Sequence, residues 1–468
     1  MSNNTKNSGG KLKKELGLFS GVSLVAGMTI GSGIYYLGSY VLERTNMSMG
    51  MALICWLVGG IISIFGGLCF AELGAEMPVT GGLTTYLSKA YHPMLGFING
   101  FSGFLLTCSG SIAALALAAV TAFQEQFGLS DLVVKLIAIG IIVIFTLINL
   151  RGVKFGAYIQ NFSMVVRVIP LILVIFIGIF FGTQTPDLTP STAFVDGQNP
   201  GFVGVVKLIG YATFASLWAY EGWTNLNTVA GEMKKPKRDI PLAIIISMGF
   251  ITLVYTLFNL AIYRVIPAAE VNELISGGNL YLGTETATRV LGQAGKWIVL
   301  IGMTVGIVGT VNGDCLVFPR TYYAMAKGGY FFKGLTKVND KGVPANAILL
   351  SSAMSIVLVC FNSLQTLTDW LITVSALINL LAVIAVLIFR VKFPDMERPY
   401  KVWGGVPVII LTILFFVVLL VNNFVSDPIT SLKGLIIVAV CVPFYFLFRK
   451  LNGGKEYDTD LIDNSEEE

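Results

Sequence analysis

The stretch Gly27-Met28-Thr29-Ile30-Gly31-Ser32-Gly33-Ile34-Tyr35 lies in the middle of the first long apolar segment, residues 16–42. That segment is long enough to cross a bilayer, because about twenty apolar residues in a helix span the hydrocarbon core. Its centre is Gly-Ser-Gly, which disfavours a continuous helix. In lipid an interrupted helix is tolerated only where its backbone faces protein or a water-filled cavity. The sequence therefore predicts a broken membrane helix, or else a set of small residues that allows close helix packing.

A break of this kind suits a zwitterionic ligand. One half-helix ends in carbonyls without partners, the other begins with amides without partners, and both meet near the middle of the membrane. A carboxylate fits the amides of Ser32 and Gly33, and an ammonium fits the carbonyl of Thr29. The candidate binding residues of this stretch are Thr29, Ile30, Gly31, Ser32 and Gly33.

The composition indicates an all-α polytopic membrane protein. Of the 468 residues, 55% are hydrophobic and 12% are charged, whereas soluble domains carry about 25% charged residues. No basic patch with interleaved aromatics is present, so we expect no nucleic-acid binding. The six cysteines lie in apolar segments and there is one histidine, which argues against a metal site, a cofactor or a catalytic triad. We expect the cysteines to be small buried residues and the protein not to be an enzyme.

The apolar segments set the predicted topology. There are about twelve of them: 16–42, 49–76, 84–122, 132–150, 155–182, 202–232, 239–265, 290–326, 344–361, 366–390, 404–424 and 431–449. The third and the eighth are long enough to be strongly tilted. Lysines and arginines concentrate in alternate connections, so the positive-inside rule makes these connections cytoplasmic. Both termini, the tail 1–15 and the acidic tail 450–468, are then predicted to be cytoplasmic.

The sixth segment is a counterpart of the first. Between Gly210 and Trp223 it has a polar, glycine-containing centre with an ionisable residue at membrane depth. Interrupted segments in corresponding positions of two halves point to the binding site of a secondary transporter. The pattern predicts a five-plus-five inverted repeat of residues 16–182 and 202–390, with 404–449 outside the repeat.

Three residues of the sixth segment are candidates for the binding site: Phe214, Trp218 and Glu221. Trp218 lies at the expected break, where it is either a lid over the ligand or an ordinary lipid-facing aromatic. Glu221 is either a protonated structural acid or a coupling group, since carboxylates inside the membrane are usually functional. We expect the carbonyls of Trp218 and Glu221, rather than the carboxylate, to contact the ligand.

Two further charged residues leave alternatives open. Lys154 begins the fifth segment, where it is either a snorkelling lysine at the membrane edge or a cation that reaches the carbonyls of the broken first helix. Asp314 in the eighth segment either pairs with a cation or has a structural role. No obvious counter-charge for a charged ligand side chain lies near the two breaks, so the sequence favours neutral side chains.

Three motifs resemble one known family. They are Gly31-Ser32-Gly33-Ile34, the run from Phe214 to Glu232 that continues to Pro241, and Gly152-Val153-Lys154 with Gln160-Asn161. They resemble motifs of the L-amino acid transporters within the amino acid–polyamine–organocation superfamily, most closely the bacterial alanine–serine–cysteine exchanger type. The resemblance covers residues 15 to 450.

The resemblance implies sodium-independent, obligatory exchange of small neutral L-amino acids at a cell membrane, here a bacterial inner membrane. It implies that Ser32 and Gly33 bind the carboxylate, that Trp218 acts as a gate, and that Lys154 takes the place of the sodium ion of cation-coupled relatives. The loop 123–132 has no cysteine, unlike the loop through which animal members join a glycoprotein, so no disulfide-linked partner is expected. The alternatives are a proton-coupled symporter or facilitator with Glu221 titrating, and an amino acid sensor.

Overall fold

The computed structural model describes residues 14–121, 123–190, 201–277, 281–426 and 428–453, and these residues form helices joined by short connections. No strand occurs among them, only two isolated β-bridges. The α-helices are α1 (Leu18–Thr29), α2 (Gly33–Arg44), α3 (Met49–Glu76), α4 (Leu83–Ala90), α5 (Pro93–Ser102), α6 (Cys108–Thr121), α7 (Gln124–Phe127), α8 (Asp131–Leu150), α9 (Val153–Phe181), α10 (Gly201–Ala219), α11 (Pro236–Val265), α12 (Ala268–Ser276), α13 (Leu282–Val317), α14 (Pro319–Lys327), α15 (Ala345–Phe361), α16 (Leu364–Lys392), α17 (Gly405–Ser426) and α18 (Pro428–Leu451).

These helices confirm the predicted all-α polytopic membrane protein. In the described ranges, eight helical stretches are long and apolar enough to cross a membrane, and α1 with α2 makes a ninth span that is bent by 47°. Three shorter apolar helices, Gly204–Leu217, Ala345–Phe361 and Gly405–Val421, account for the other predicted segments. The inverted-repeat relation between residues 16–182 and 202–390 stays a prediction.

The third segment differs from the single tilted helix expected over 84–122. It is divided at Tyr91 and His92, because the residue before a proline is pushed out of the helical region and Pro93 begins α5. His92 is extended, with φ −156° and ψ 144°, and its Nδ1 accepts a hydrogen bond from the Met94 amide at 3.1 Å. Between α5 and α6 the helix has one π-helical turn, Gly103–Thr107.

The cysteines are not all buried, so that part of the prediction is wrong. All six are free; Cys108 is half-buried and Cys360 is exposed. Cys360 lies in the last turn of α15, where the neighbouring Phe361 is also exposed. Within the described ranges no group of three histidine, cysteine or acidic side chains is placed to hold a metal ion.

The end of the helix bundle at which α1 and α11 begin, which we call the terminal face, has the buried residues Leu16, Met233 and Arg320 beneath it. Leu16 pairs with the segment after the sixth-segment break, since its amide donates to the Glu232 carbonyl at 3.0 Å and its carbonyl accepts from the Lys234 amide at 2.8 Å. The Glu232 side chain accepts from Nε of Arg320 at 2.6 Å, and both side chains are fully buried. This ion pair joins the loop after the sixth segment to α14.

We expect Arg320→Met to lower the melting temperature of the purified protein in detergent. The substitution leaves the buried Glu232 carboxylate without its cation, and breaking a buried pair in this way costs about 3–5 kcal/mol. Arg289→Met is the matched control, because Arg289 forms its ion pairs with Glu270 and Glu285 in partly exposed positions, where such pairs contribute about 0–1 kcal/mol. Equal shifts in melting temperature for the two variants would contradict the assigned role of Arg320.

Candidate functional site

The break in the first segment has the geometry expected of two half-helices. The helix α1 ends at Thr29, Ile30 leaves the helical region with φ −76° and ψ 77°, and α2 begins at Gly33. No hydrogen-bond acceptor meets the amides of Ser32 and Gly33 in the part of the chain that the structure describes. Free amides at the N-terminus of a helix are suited to binding an anion, and these two lie at the N-terminus of α2. The predicted carboxylate site therefore has the required free donors.

The break in the sixth segment lies after Ala219, slightly beyond the predicted position at Trp218. Gly222 has φ +136° and is followed by the 3₁₀-helix Trp223–Thr228 rather than by a second α-helix. Trp218 therefore belongs to the last turn of α10. The side chains of Phe214 and Trp218 lie outside the described residues, so their predicted contacts with the ligand stay predictions.

The two breaks touch each other. A Cβ atom on Gly222 would lie 2.7 Å from Oγ1 of Thr29 and 2.8 Å from the Thr29 backbone nitrogen. A Cβ atom on Gly33 is 3.0 Å from the Cα atom of Ala219. Because such distances leave no room for a side chain at residue 222, glycine there allows the two unwound backbones to make contact.

Tyr255 of α11 connects the breaks by hydrogen bonds. Its hydroxyl, which is fully buried, lies 3.2 Å from the Thr29 carbonyl oxygen and 3.1 Å from the Ala219 carbonyl oxygen, and its single proton is shared between these two acceptors. The Thr29 carbonyl also accepts from the Gly31 amide at 2.8 Å. This oxygen, predicted to receive an ammonium, thus already has two donors. The Thr29 hydroxyl, by contrast, has no partner among the described residues.

Arg167 of α9 is the buried cation of the site. Its Nη1 donates to the carbonyls of Gly27 and Ile30 and to the hydroxyl of Thr310, the last two at 3.0 Å. The side chain is fully buried, and no carboxylate in the described ranges lies within ion-pair distance of it. Its charge is partly offset by the partial negative charge at the C-terminal end of α1.

Lys154 does not hold this place, which corrects the prediction made for it. Its ammonium lies 3.5 Å from a carboxylate oxygen of Glu15, and its side chain is 63% exposed. Lys154 begins α9, whereas Arg167 lies thirteen residues further along the same helix, at the depth of the break. Arg167 lies inside an apolar run, so the sequence motifs do not single it out. The signal that could have identified it is a single cation within an apolar membrane segment, because charged residues in such segments are usually functional.

A cavity of about 540 Å³ lies at the contact between the breaks. Of the predicted binding residues, Thr29, Gly31, Ser32, Gly33 and Glu221 line it, whereas Ile30 is buried and offers its carbonyl to Arg167. The cavity extends to Tyr281, which is 40% exposed and directly precedes α13.

Two acidic residues also line this cavity. Glu221 accepts a hydrogen bond from Nδ2 of Asn379 at 3.1 Å, and Asp314 of α13 accepts one from the hydroxyl of Ser111 of α6 at 2.7 Å. Asp314 is therefore not paired with a cation in the described structure. Of the two alternatives for this residue, pairing with a cation is wrong. The expectation that no counter-charge lies near the breaks is also wrong, because helix packing brings a carboxyl group of α13 to the cavity.

A bent span with free amides, a second break in contact with it and a cavity where the two breaks meet are typical of a secondary transporter. The comparisons with known proteins agree. The amino acid permease model matches residues 16–448, so the chain belongs to the amino acid permease family of the amino acid–polyamine–organocation superfamily.

Several characterised relatives match nearly the whole chain. The serine/threonine exchanger SteT of Bacillus subtilis (strain 168) is 30% identical over 444 residues, which are 94% of this chain and 98% of that protein. The human cystine/glutamate transporter is 31% identical over 445 residues, or 94% of this chain and 86% of that protein. The mouse b(0,+)-type amino acid transporter 1 is 29% identical over 443 residues, or 93% and 88% of the two chains.

We expect Arg167→Ala to reduce amino acid exchange in proteoliposomes at least about tenfold, because charged hydrogen bonds of this kind contribute about 1.5–3 kcal/mol each. Arg167→Lys should retain part of the activity, since it keeps the charge. Lys154→Ala is the matched control on the same helix. Its exposed ion pair is worth about 0–1 kcal/mol, so its loss should be less than about fivefold. A larger loss for Lys154→Ala than for Arg167→Ala would restore the lysine to the role predicted from the sequence.

We expect Gly222→Ala to abolish most exchange, because the added Cβ atom would separate the two breaks and the backbone has a positive φ. Gly210→Ala is the matched control. Gly210 lies in α10 with open space at its Cβ position, and alanine favours the helix. Exchange rates and substrate-induced shifts in melting temperature should be near wild type for Gly210→Ala only. The contact between the breaks would be unimportant if both variants behaved alike.

Proposed function

We propose that this protein is a sodium-independent, obligatory exchanger of L-amino acids, with small neutral ones such as alanine, serine and cysteine among its substrates. Amino acid exchange is supported by the relatives, which include an exchanger of serine and threonine in a bacterium. The observation that carries sodium independence is the Arg167 guanidinium on the carbonyls of Gly27 and Ile30. The protein acts on its substrate by moving it, without a chemical reaction.

Arg167 supplies what a bound sodium ion would otherwise supply. A membrane helix that ends at mid-membrane exposes carbonyls that need a positive partner. Arg167 is covalently part of α9, so the partner is always present and no ion gradient enters the transport cycle. The same carbonyls have no free position for sodium while the guanidinium is bound to them.

The amino acid zwitterion is proposed to bridge the two breaks. Its carboxylate would accept hydrogen bonds from the amides of Ser32 and Gly33, which have no other acceptor in the described structure. Its ammonium would bind the carbonyls of Thr29, Trp218 and Glu221. Because the Thr29 carbonyl already accepts from Tyr255, the ammonium must share this oxygen with the tyrosine or displace it. Ligand binding at the Thr29 carbonyl would then also change the second contact of Tyr255, which is with the Ala219 carbonyl at the end of α10.

Obligatory exchange requires that the loaded carrier reorient faster than the empty one. A ligand achieves this only if it binds the occluded intermediate better than either open form. The zwitterion meets this condition because it bonds to both breaks at once. The cavity reaches the exposed Tyr281, which follows the C-terminal end of α11, and the positive-inside rule would place the N-terminal end of α11, at the terminal face, in the cytoplasm. The structure would then be an outward-facing state of a protein whose termini both lie in the cytoplasm. The membrane would be a cell membrane, such as the inner membrane of a bacterium.

The second candidate is a proton-coupled symporter or facilitator. The observation that favours it is Glu221, whose carboxyl lines the cavity and has Asn379 as its hydrogen-bond partner. A carboxyl in such a position can carry a proton through the cycle. The amino acid sensor has no comparable support, and neither a disulfide-linked partner nor a cofactor is part of the proposal.

The test is uptake of labelled L-alanine into proteoliposomes in sodium-free buffer, with and without unlabelled L-alanine inside. We expect uptake only into vesicles that contain internal L-alanine, and no stimulation by an inward proton gradient. Equal uptake into empty vesicles would overturn obligatory exchange. Uptake into empty vesicles that requires the proton gradient and is lost in Glu221→Gln would establish the proton-coupled alternative instead.

A further inference from the structure

The central cavity carries two carboxyl groups in its wall without a basic side chain beside them in the described residues. Glu221 reaches it from the sixth-segment break and Asp314 reaches it from α13. None of the residues that the structure describes in the cavity wall is a lysine, arginine or histidine. No lysine or arginine in the described ranges lies within ion-pair distance of either carboxyl group, and Arg167 is engaged by the carbonyls of Gly27 and Ile30.

Asp314 is built into the wall rather than placed there by a flexible side chain. It is 2% exposed, and its Oδ2 accepts a hydrogen bond of 2.7 Å from the hydroxyl of Ser111. Ser111 lies in the first turn of α6, just after the π-helical turn Gly103–Thr107. Such turns change the direction in which the following side chains point and often occur at functional sites. The serine therefore fixes the carboxyl group at the cavity.

Glu221 is held in a similar way from the other side of the site. Its carboxyl accepts from Nδ2 of Asn379, a residue of α16 that is itself 4% exposed. Each acid thus has one neutral hydrogen-bond donor among the described residues and no cationic partner. A buried carboxylate without a cation is unfavourable, so the cavity favours a ligand that brings positive charge.

We propose that Asp314, positioned by Ser111, and Glu221 form a subsite for a second ammonium group. The transporter then accepts L-amino acids with a basic side chain, such as ornithine and lysine, in addition to small neutral ones. The zwitterionic part of the substrate lies on the two breaks, and the side-chain ammonium lies between the acids. The cavity volume of about 540 Å³ falls within the range for whole small-molecule ligands, about 300–1,000 Å³, and leaves space beyond alanine.

This inference rests on the proposed exchange function, and the experiment separates the two. Proteoliposomes loaded with unlabelled L-alanine take up labelled L-alanine in sodium-free buffer at pH 7. Unlabelled L-ornithine or L-norleucine competes from outside. These two competitors have side chains of the same length. The side chain of L-ornithine ends in an ammonium group, and that of L-norleucine ends in a methyl group. The measured quantity is the ratio of their inhibition constants within each variant, which does not depend on absolute activity.

We expect L-ornithine to inhibit at least about tenfold more strongly than L-norleucine, because the ammonium makes charged hydrogen bonds that the methyl group cannot make. Asp314→Asn and Glu221→Gln should each reduce this ratio several-fold. Asp131→Asn is the control, since Asp131 is an exposed acid at the start of α8, away from the cavity wall. It should keep the wild-type ratio.

The outcomes are distinct. A wild-type ratio near one would overturn the subsite even though L-alanine exchange is intact. A high ratio that persists in both Asp314→Asn and Glu221→Gln would show that other groups bind the ammonium. If Asp314→Asn is not folded, the wild-type ratio and Glu221→Gln still decide the matter. Absence of L-alanine exchange in the wild-type protein would instead count against the proposed function itself.

Discussion

A buried guanidinium on the end of a broken helix is the interaction on which the rest of this structure depends. An interrupted membrane helix needs a partner for the carbonyls that it exposes, and Arg167 provides that partner for Gly27 and Ile30. With the end of α1 fixed in this way, the amides at the start of α2 remain free for a ligand. The break therefore has a cationic partner within the chain, and the amides of Ser32 and Gly33 keep their donors free.

The neighbouring sequence is adapted to this arginine. A Cβ atom on Gly27 would collide with Nε2 of Gln160, and one on Gly309 would collide with Nη2 of Arg167. Behind the arginine, Asn312 donates to Oε1 of Gln160 at 3.2 Å and accepts from Nδ2 of Asn149 at 3.1 Å. These hydrogen bonds join α8, α9 and α13 around the cation. The glycines thus leave room for Gln160 and Arg167, and the amide hydrogen bonds fix Gln160 beside Gly27.

Much of this arrangement was predictable from the sequence, and the exceptions have physical reasons. The break at Gly31-Ser32-Gly33 and the second break near Gly222 follow from local helix propensity, which a single sequence shows directly. The partners of those breaks do not follow from local propensity, because Tyr255 and Arg167 belong to other helices and only helix packing brings them to the breaks. The position of Lys154 in a motif draws attention to it and Arg167 goes unnoticed, although the depth of a residue in the membrane is the better guide. Asp314 and Ser111 are 203 positions apart, so no local pattern could show that they share a cavity wall.

Arg167 is proposed to be a permanent substitute for a bound ion. The most direct test of this claim is whether the rate of exchange depends on sodium. The rate of L-alanine exchange in proteoliposomes is measured while sodium replaces choline at constant ionic strength on both sides of the membrane. If the guanidinium occupies the carbonyls of α1 throughout the cycle, the rate is the same at every sodium concentration. A rate that rises with sodium and saturates would show that an ion binds where Arg167 is placed here, and would contradict the account.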